Sequence, residues 1–259
     1  MKLSVVIPAK NEEGSVISTL AGLTAVLQRE AIPYEVVVVD DKSTDSTGQI
    51  VRDFAQRDAG VRVVYNAGRS GFGMAIRCGL NAATGDAIAV MMADSSDSPE
   101  DLVVYYRTLE EGYDCAFGSR FMQGSKIIDY PKHKLLINRA ANYFIRVLFR
   151  LPYDDVTNAF KCYRREVVLA MDPLISPHFN LTVEMPLKAV IRGFTYKIVP
   201  ISWTNRKYGV SKLKLKEMGS RYLFIVLYLW LEKYLALGDY HRRNLPQDEK
   251  VPQPQAKHV

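Results

Sequence analysis

The chain has 259 residues, of which 48% are hydrophobic, and it carries a formal net charge of +6. This length and apolar content suit one sizeable α/β domain plus an appendage, and the positive charge favours phosphates, nucleic acid or anionic membranes as partners. The three cysteines have no C-x-x-C spacing, which argues against a disulfide framework or a zinc site and fits a reducing cytoplasm.

The first half of the sequence alternates predicted strands and helices. Strands are predicted at residues 3–7, 35–39, 61–65 and 87–92, and helices at 16–30, 47–57 and 73–83. The second strand is a near-continuous valine run, as expected where both faces of a sheet are covered. Successive βαβ units of this length predict a doubly wound, mostly parallel sheet with right-handed crossovers.

The second half of the sequence is less regular. Strands are predicted at 114–118 and 194–203, and helices at 135–150 and 183–192. Residues 222–231 are strongly apolar, but Glu232 and Lys233 interrupt them after about two and a half helical turns. The first apolar segment is too short for a signal peptide, and no apolar run is long enough to span a bilayer. The proline-rich, charged segment from residue 244 predicts a disordered tail.

Ligands of doubly wound sheets bind beyond the carboxyl ends of the strands, where four polar or glycine-rich loops are predicted here. These loops are residues 8–13, 40–45, 66–73 and 93–100. Asp40 and Asp41 directly follow a buried strand, where a carboxylate can accept hydrogen bonds from a base or a ribose. The structural alternative is a helix cap followed by a solvated turn, although two adjacent acids are more than a cap needs.

Two of these loops could contact phosphate. The glycines of residues 66–73 begin a helix whose amino terminus could hold a phosphate, and a capped flexible loop is an equally compatible interpretation. The loop after Met92 carries Asp94, an acid suited to holding Mg²⁺ or Mn²⁺ against a diphosphate. Glu100 and Asp101 instead fit the first turn of the next helix.

Five short segments, in order and spacing, resemble glycosyltransferase family 2, whose GT-A fold is a Rossmann-like, doubly wound, mostly parallel α/β sheet. They are residues 6–12, 39–45, 68–79, 83–86 and 93–94. Glu184 and three further segments resemble the dolichol- and polyprenyl-phosphate mannose (sugar) synthases. Those segments are residues 117–121, 155–163 and 206–212. We expect residues 1–215 to be the catalytic domain, 216–243 a C-terminal amphipathic helical segment and 244–259 the tail.

The resemblance implies three neighbouring binding sites. The nucleotide-sugar site would contain Pro8, Lys10, Glu12, Asp40, Asp41, Gly71, Ala93 and Asp94. The site for Mg²⁺ or Mn²⁺ would contain Asp94 and Ser96. The acceptor-phosphate site would contain Arg120, Arg139, Lys161, Arg206, Ser211 and Lys212. The side chains expected to carry catalysis are Asp94, Arg120, Arg139 and Arg206.

Three positions depart from the family pattern. Met92 stands where the first acid of an Asp-x-Asp motif is expected, which removes one expected ligand from the metal site. Lys10 replaces a tyrosine that would stack on the base. Lys161, in Asn158-Ala159-Phe160-Lys161, replaces the arginine of Ser-Gly-Phe-Arg, so it retains a positive charge without the bidentate geometry of a guanidinium.

The implied reaction is inverting hexosyl transfer from a GDP- or UDP-linked sugar to a polyprenyl or dolichyl phosphate. A phosphate monoester is largely dianionic at neutral pH and needs no general base, so the protein must bring two anions together with cations. Transfer to a hydroxyl acceptor is the alternative, and it would need Glu184 or Asp155 as the base. A nucleotide-sugar-binding homologue with weakened activity is a second alternative, suggested by Met92.

Basic side chains cluster between residues 126 and 150 and between 206 and 221, where they lead into the apolar stretch. This arrangement fits peripheral docking on the anionic, cytoplasmic face of a membrane. A helix packed in the core or in a homodimer is equally compatible with the apolar stretch. Nucleic acid is not expected as a partner, because the aromatic residues are not interleaved with the basic runs.

Overall fold

We describe the chain from a computed structural model over residues 1–206 and 215–244, without the side chains of residues 215–218. The strands are β1 Leu3–Ala9, β2 Tyr34–Asp40, β3 Val61–Tyr65, β4 Ala87–Val90, β5 Cys115–Ser119, β6 Lys126–Ile128, β7 Lys161–Arg164, β8 Tyr196–Pro200 and β9 Ser202–Thr204. The helices are α1 Val16–Arg29, α2 Thr47–Ala55, α3 Phe72–Ala82, α4 Pro99–Glu110, α5 Lys132–Phe149, α6 Arg165–Ala170, α7 Leu181–Ile191 and α8 Leu215–Leu235, followed by a 3₁₀ helix at Arg242–Asn244.

Within the described residues, seven strands form one sheet in the order β3-β2-β1-β4-β7-β5-β8. The neighbouring strands are parallel except at β7, which runs antiparallel to both β4 and β5. Side chains alternate between two apolar clusters, one on each face, so that Val37 and Val39 join one cluster while Val36 and Val38 join the other. The sheet is therefore doubly wound and mostly parallel, as predicted.

The predicted strand at residues 194–203 is wrong as a single element. It forms two strands that belong to different sheets, since β8 pairs with β5 whereas β9 pairs with β6. The switch occurs at Ile201, whose amide donates to Ser119 while its carbonyl accepts from Lys126. Pro200, which has no amide hydrogen to donate, ends the first ladder just before this point.

Glu232 and Lys233 interrupt the apolar stretch of residues 222–231 without ending its helix. Helix α8 continues through both residues to Leu235, because each charge has a partner. Glu232 pairs with the nearly buried Arg192 at 2.9 Å, and the Lys233 ammonium donates to the Phe149 carbonyl at 2.7 Å. The two charges thus attach α8 to the ends of α7 and α5.

The predicted tail is described over its first residue alone. Asn244 lies in the 3₁₀ helix, and residues 245–259 lie outside the described residues. The neighbouring Arg242 pairs with Asp114 at 2.6 Å and donates its amide to Arg192. No helix in the described parts of the chain combines the length and apolarity needed to cross a bilayer.

Glu35 connects three segments at the amino-terminal edge of the sheet. Its carboxylate accepts hydrogen bonds from the Ser4 hydroxyl at 2.6 Å and the Thr84 hydroxyl at 2.9 Å. Burial of Glu35 opposes its ionisation, but the hydrogen bonds from Ser4 and Thr84 and the charge of Lys2 outweigh this effect and lower the Glu35 pKa to about 2. The ionised carboxylate therefore stabilises the folded chain.

We expect Glu35→Gln to lower the free energy of unfolding near pH 7 by about 2 kcal/mol, because ionised Glu35 is favoured by folding. The stabilisation is complete above the ordinary glutamate pKa of 4.5 and is lost as the pH falls through the folded-state value of about 2. Urea unfolding near pH 7 and pH 3 measures this, with Glu30→Gln as control, because Glu30 is partly exposed and pairs with Arg29 at the surface. An equal effect of Glu35→Gln at both pH values would contradict the prediction.

Candidate active site

The carboxyl ends of β1, β2, β3 and β4 meet at one edge of the sheet, and the predicted binding loops lie side by side there. The Asp41 amide donates to the Ala9 carbonyl at 2.8 Å, and the Asn66 amide donates to the Asp40 carbonyl at 3.0 Å. Pro8 is buried within β1, level with Val39 of β2. Parallel topology thus gathers segments that are far apart in sequence into one site.

Asp41 organises the glycine loop. One of its carboxylate oxygens accepts from the Asn66 side chain at 2.7 Å, and the other accepts from the Ser70 hydroxyl at 2.8 Å and the Gly71 amide at 2.9 Å. The Lys10 ammonium also donates to Ser70, at 2.8 Å. Lys10, Asp41 and Gly71 are therefore close together, as the sequence analysis expects, with the carboxylate engaged by the loop itself.

Asp40 has a local structural role. Its side chain accepts a hydrogen bond from the Ser43 amide at 2.8 Å, which forms the turn that follows β2. The other carboxylate oxygen lies so close to Gly48 that a Cβ added there would be 2.6 Å from it. Asp40 thus corresponds to the turn alternative considered for the acidic pair.

The amino terminus of α3 is closed by protein atoms. The Gly73 amide donates to the Pro177 carbonyl at 3.1 Å, and a Cβ at Gly73 would lie 2.3 Å from the Ser176 carbonyl oxygen. Phe72 stacks on Phe179 with 4.0 Å between the ring centroids. The glycines therefore allow close packing against residues 176–179, and the first turn of α3 does not present Gly73 to a phosphate.

Glu184 fixes the segment that packs on this glycine loop. Its fully buried carboxylate accepts from the amides of Ile175 and Ser176, each at 2.8 Å, and pairs with Lys188 at 2.9 Å. Burial lowers the pKa of Lys188, while the charge of Glu184 acts in the opposite direction. Glu184, one of the two possible general bases, therefore has partners that give it a structural role.

Asp155, the second possible base, is likewise engaged. It is fully buried and holds the Arg120 guanidinium through two hydrogen bonds of 2.8 and 2.7 Å, with a third from the Arg120 amide at 3.0 Å. The aromatic rings of Tyr130 and Trp203 lie within 6 Å of the same guanidinium, at 5.6 and 5.8 Å. Bidentate pairing inside an aromatic enclosure leaves this carboxylate no open face for a substrate hydroxyl.

The acidic loop after β4 brings Asp94 next to Arg206. One Asp94 oxygen lies 2.7 Å from the Arg206 guanidinium, and the other accepts from the Ser96 amide at 3.2 Å. Arg206 also lies 3.9 Å from Glu12. Helix α1 supports the loop through Thr19, whose hydroxyl donates to the carbonyl of the buried Ala93 at 2.9 Å. Glu12, Asp94 and Arg206 thus share one side of the site.

Asp97 points inward from the same loop. Its carboxylate accepts from the Met92 amide at 2.9 Å, and burial raises the pKa of Asp97 to about 7. Across the described residues, no three side chains of the His, Cys, Asp and Glu types are grouped around a common metal position. Asp94 is the acid of this loop expected to hold Mg²⁺ or Mn²⁺, and a single carboxylate suits a site completed by substrate phosphates, because such ions often use one or two carboxylates together with phosphate oxygens.

Comparison with known families agrees with this arrangement. The family model described as "Glycosyl transferase family 2" matches residues 4–170. The chain belongs to glycosyltransferase family 2. This match begins in β1 and ends with α6, so it includes the four loops at the carboxyl edge of the sheet.

Within glycosyltransferase family 2, curated relatives point to one subgroup. The chain is 30% identical over 215 residues to the polyprenol monophosphomannose synthase of Mycolicibacterium smegmatis, covering 81% of this chain and 80% of the relative. It is 30% identical over 220 residues to the undecaprenyl-phosphate mannosyltransferase of Micrococcus luteus, covering 82% and 88%. It is 31% identical over 224 residues to the dolichol-phosphate mannosyltransferase of Pyrococcus furiosus, covering 84% and 61%. The subgroup is the one expected from the motifs.

Solved structures place the chain in the GT-A fold of the family. Glucosyl-3-phosphoglycerate synthase from Mycobacterium tuberculosis, solved with phosphoglyceric acid, superposes with a TM-score of 0.66 at 20% identity. The match covers 90% of this chain and 79% of that one. The same enzyme solved with Mn²⁺ and UDP-glucose also gives a TM-score of 0.66 at 20% identity, covering 90% and 78%.

The phosphate-binding residues expected from the family lie in different environments. Arg139 is half exposed on α5, where it packs 4.5 Å from the ring of Phe121 and pairs with Asp154 at 3.5 Å. Lys161 is buried, and its ammonium donates to the carbonyls of Val156 and Asn158. Burial lowers the Lys161 pKa to about 7.

Arg139 is therefore placed at the surface, whereas Arg120 and Lys161 have structural partners inside the glycosyltransferase core. Ser211 and Lys212 lie outside the described residues. Three neighbours of the predicted residues were not themselves predicted: Asn66, which donates to Asp41, and Tyr130 and Trp203, whose rings flank Arg120. Asn66 could have been found from its place in the glycine loop, but the two aromatic residues follow no recognised motif.

Proposed function

We propose that the protein transfers a hexosyl group with inversion from a nucleoside diphosphate sugar to a polyprenyl- or dolichyl-type lipid phosphate. The observation that carries this proposal is that both candidate bases, Glu184 and Asp155, are fully buried and held by structural partners. A hydroxyl acceptor requires a base, whereas a phosphate acceptor is already an anionic nucleophile at neutral pH. The names of the curated relatives, which refer to polyprenyl-type phosphates, support the same acceptor class.

On the donor side, Lys10, Asp41 and Gly71 would border the nucleotide, while Asp94 and Ser96 would hold Mg²⁺ or Mn²⁺. The bound cation would neutralise the departing diphosphate. A structural neighbour of the same fold was solved with Mn²⁺ and UDP, which supports a metal of this kind. On the acceptor side, Arg139 offers a half-exposed guanidinium suited to bidentate phosphate contact. Bringing two anions together is the main catalytic task of these cations.

A transfer assay with a donor panel tests the proposed function. GDP- and UDP-linked radiolabelled hexoses are offered with undecaprenyl phosphate or with soluble sugar acceptors, and the products are partitioned between chloroform and water. We expect label in the organic phase with at least one donor, because a lipid phosphate needs no catalytic base. Label on a soluble sugar alone would overturn the acceptor assignment, and binding of nucleotide without any transfer would favour the weakened homologue.

Helices α5 and α8 expose apolar side chains in a manner that suits a lipid surface. The largest on α5 are Leu136, Ile137, Tyr143, Phe144 and Val147. Those on α8 are Leu223, Phe224, Leu227, Leu231, Tyr234 and Leu235. The two helices meet where Lys233 donates to the Phe149 carbonyl. Basic residues on α5, including Lys132 and Arg146, favour an anionic membrane, so we propose peripheral docking on the cytoplasmic face.

We expect the double variant Leu136→Ser/Phe224→Ser to lower sedimentation with phosphatidylglycerol-containing vesicles by about tenfold, because it removes apolar area that would enter the lipid. Val104→Ser is the control, since Val104 is also an exposed apolar residue but lies on α4. Sedimentation of the double variant at the wild-type level would reject this docking face. If the double variant instead changes the oligomeric state in gel filtration, the face is a homodimer contact.

A further inference from the structure

Arg206 already pairs with Asp94, the acid of the proposed metal site, and lies beside Glu12. Its guanidinium lies 2.7 Å from one carboxylate oxygen of Asp94 and 3.9 Å from Glu12. The Asp94 side chain is 5% exposed and that of Arg206 is 24% exposed, so water screens this pair less than it would a surface pair. The second Asp94 oxygen accepts from the Ser96 amide, so both oxygens have protein partners.

The backbone keeps Arg206 near this loop. The Thr204 amide donates to the Ser96 carbonyl at 3.1 Å, and Trp203 forms an antiparallel bridge with Asp97. Arg206 follows β9 by two residues and is thus attached to the loop that carries Asp94. The guanidinium can exchange partners while its backbone remains in place, because the arginine side chain is long and flexible.

The pairing of Arg206 with Asp94 matters because Met92 replaces the first acid of the expected Asp-x-Asp motif. The side chain at position 92 supplies no carboxylate, and Asp97 points into the core toward the Met92 amide. Asp94, the acid of the proposed metal site, is thus already paired with Arg206. One carboxylate cannot hold a guanidinium and a divalent cation equally well, since two neighbouring cations repel each other.

We propose that Arg206 and the divalent cation compete for Asp94, and that arrival of the cation with a nucleoside diphosphate releases Arg206 to bind phosphate. This inference rests on the proposed function and adds an order to it, since the donor complex must bind before Arg206 can hold the acceptor phosphate. In the free protein Arg206 balances the charge of Asp94. After the exchange its guanidinium has no carboxylate partner at Asp94 and favours a phosphate oxygen pair.

The test measures Mn²⁺ binding to the full chain by electron paramagnetic resonance, with and without UDP or GDP. Without nucleotide, Arg206→Ala should bind Mn²⁺ at least about tenfold more tightly than wild type, because Asp94 is no longer held by a guanidinium. Adding UDP or GDP, whichever belongs to the donor that the enzyme uses, should reduce this difference in Mn²⁺ affinity. Arg206→Gln should behave like Arg206→Ala, which guards against misfolding of one variant, and Arg139→Ala is a control that removes a guanidinium paired with Asp154.

Equal Mn²⁺ affinity of wild type, Arg206→Ala and Arg206→Gln in the absence of nucleotide would overturn the inference. The addition of Asp94→Asn to Arg206→Ala should abolish the gained affinity, and affinity that persists would also overturn it. Failure of the proposed function is distinguishable, because Mn²⁺ binding needs no acceptor. A tightened Mn²⁺ site without transfer to lipid phosphate would support the exchange and reject the acceptor. Transfer to lipid phosphate, with Mn²⁺ binding that is unchanged in the Arg206 variants, would support the acceptor and reject the exchange.

Discussion

Asp94→Asn is expected to lower the rate of sugar transfer by at least about 1,000-fold, which corresponds to roughly 4 kcal/mol of transition-state stabilisation. The substitution keeps the size of the side chain and removes the charge that would hold Mg²⁺ or Mn²⁺ against the leaving diphosphate. Met92 provides no second carboxylate in the described loop to replace that charge. Initial transfer rates over a series of Mn²⁺ concentrations measure the effect.

Asp97→Asn is the matched control for this variant. Asp97 lies three residues further along the same loop, is 5% exposed and accepts a hydrogen bond from the Met92 amide, which an asparagine oxygen can also accept. Burial raises the Asp97 pKa to about 7, so this carboxyl is already protonated in part near neutral pH and an uncharged asparagine is a mild change. We expect transfer within about threefold of wild type. Full activity and unchanged metal dependence in Asp94→Asn would show that the chemistry lies elsewhere.

The location of the candidate site was predictable because it follows from the strand and helix patterns of short sequence segments. The apolar runs of β1 to β4 and the helices between them fix a parallel sheet, and parallel topology gathers the following loops at one edge. This rule and the family motif together predict Asp94 as a site residue. The position of a residue at the edge, however, does not determine which partner its side chain contacts. Asp41 was expected to line the nucleotide pocket, and its carboxylate is engaged by Asn66 and Ser70.

The interactions that sequence analysis missed join distant segments. Arg120 and Asp155 are separated by 35 positions along the chain, and no periodicity relates them. Glu184 and Lys188, in contrast, have the i,i+4 spacing of a helical ion pair, so their pairing could have been predicted. Strand β7 escaped prediction because it is four residues long and contains a lysine. Its antiparallel pairing with β4 and β5 buries that lysine, Lys161.

Asp155→Ala is expected to lower the free energy of unfolding by about 3–5 kcal/mol, because it leaves the Arg120 guanidinium buried without its counter-charge. Arg120 is 8% exposed and Asp155 is fully buried, so water cannot replace the missing carboxylate without opening the structure. Urea unfolding of the purified chain measures the loss. Glu110→Gln is the control, since it removes an ion pair with Arg107 that lies on the surface, and we expect a loss of about 0.5 kcal/mol or less.

The double variant Arg120→Met/Asp155→Leu separates the two roles open to Arg120. Replacing both charges with apolar side chains removes the uncompensated charge, so we expect most of the stability lost in Asp155→Ala to return. Failure to regain stability would mean that the fold depends on the enclosure by Tyr130 and Trp203 as much as on the charge pair. Transfer by a stable double variant then reports on Arg120 alone. Retained transfer would make its role structural, whereas lost transfer would support the phosphate contact that the family resemblance implies.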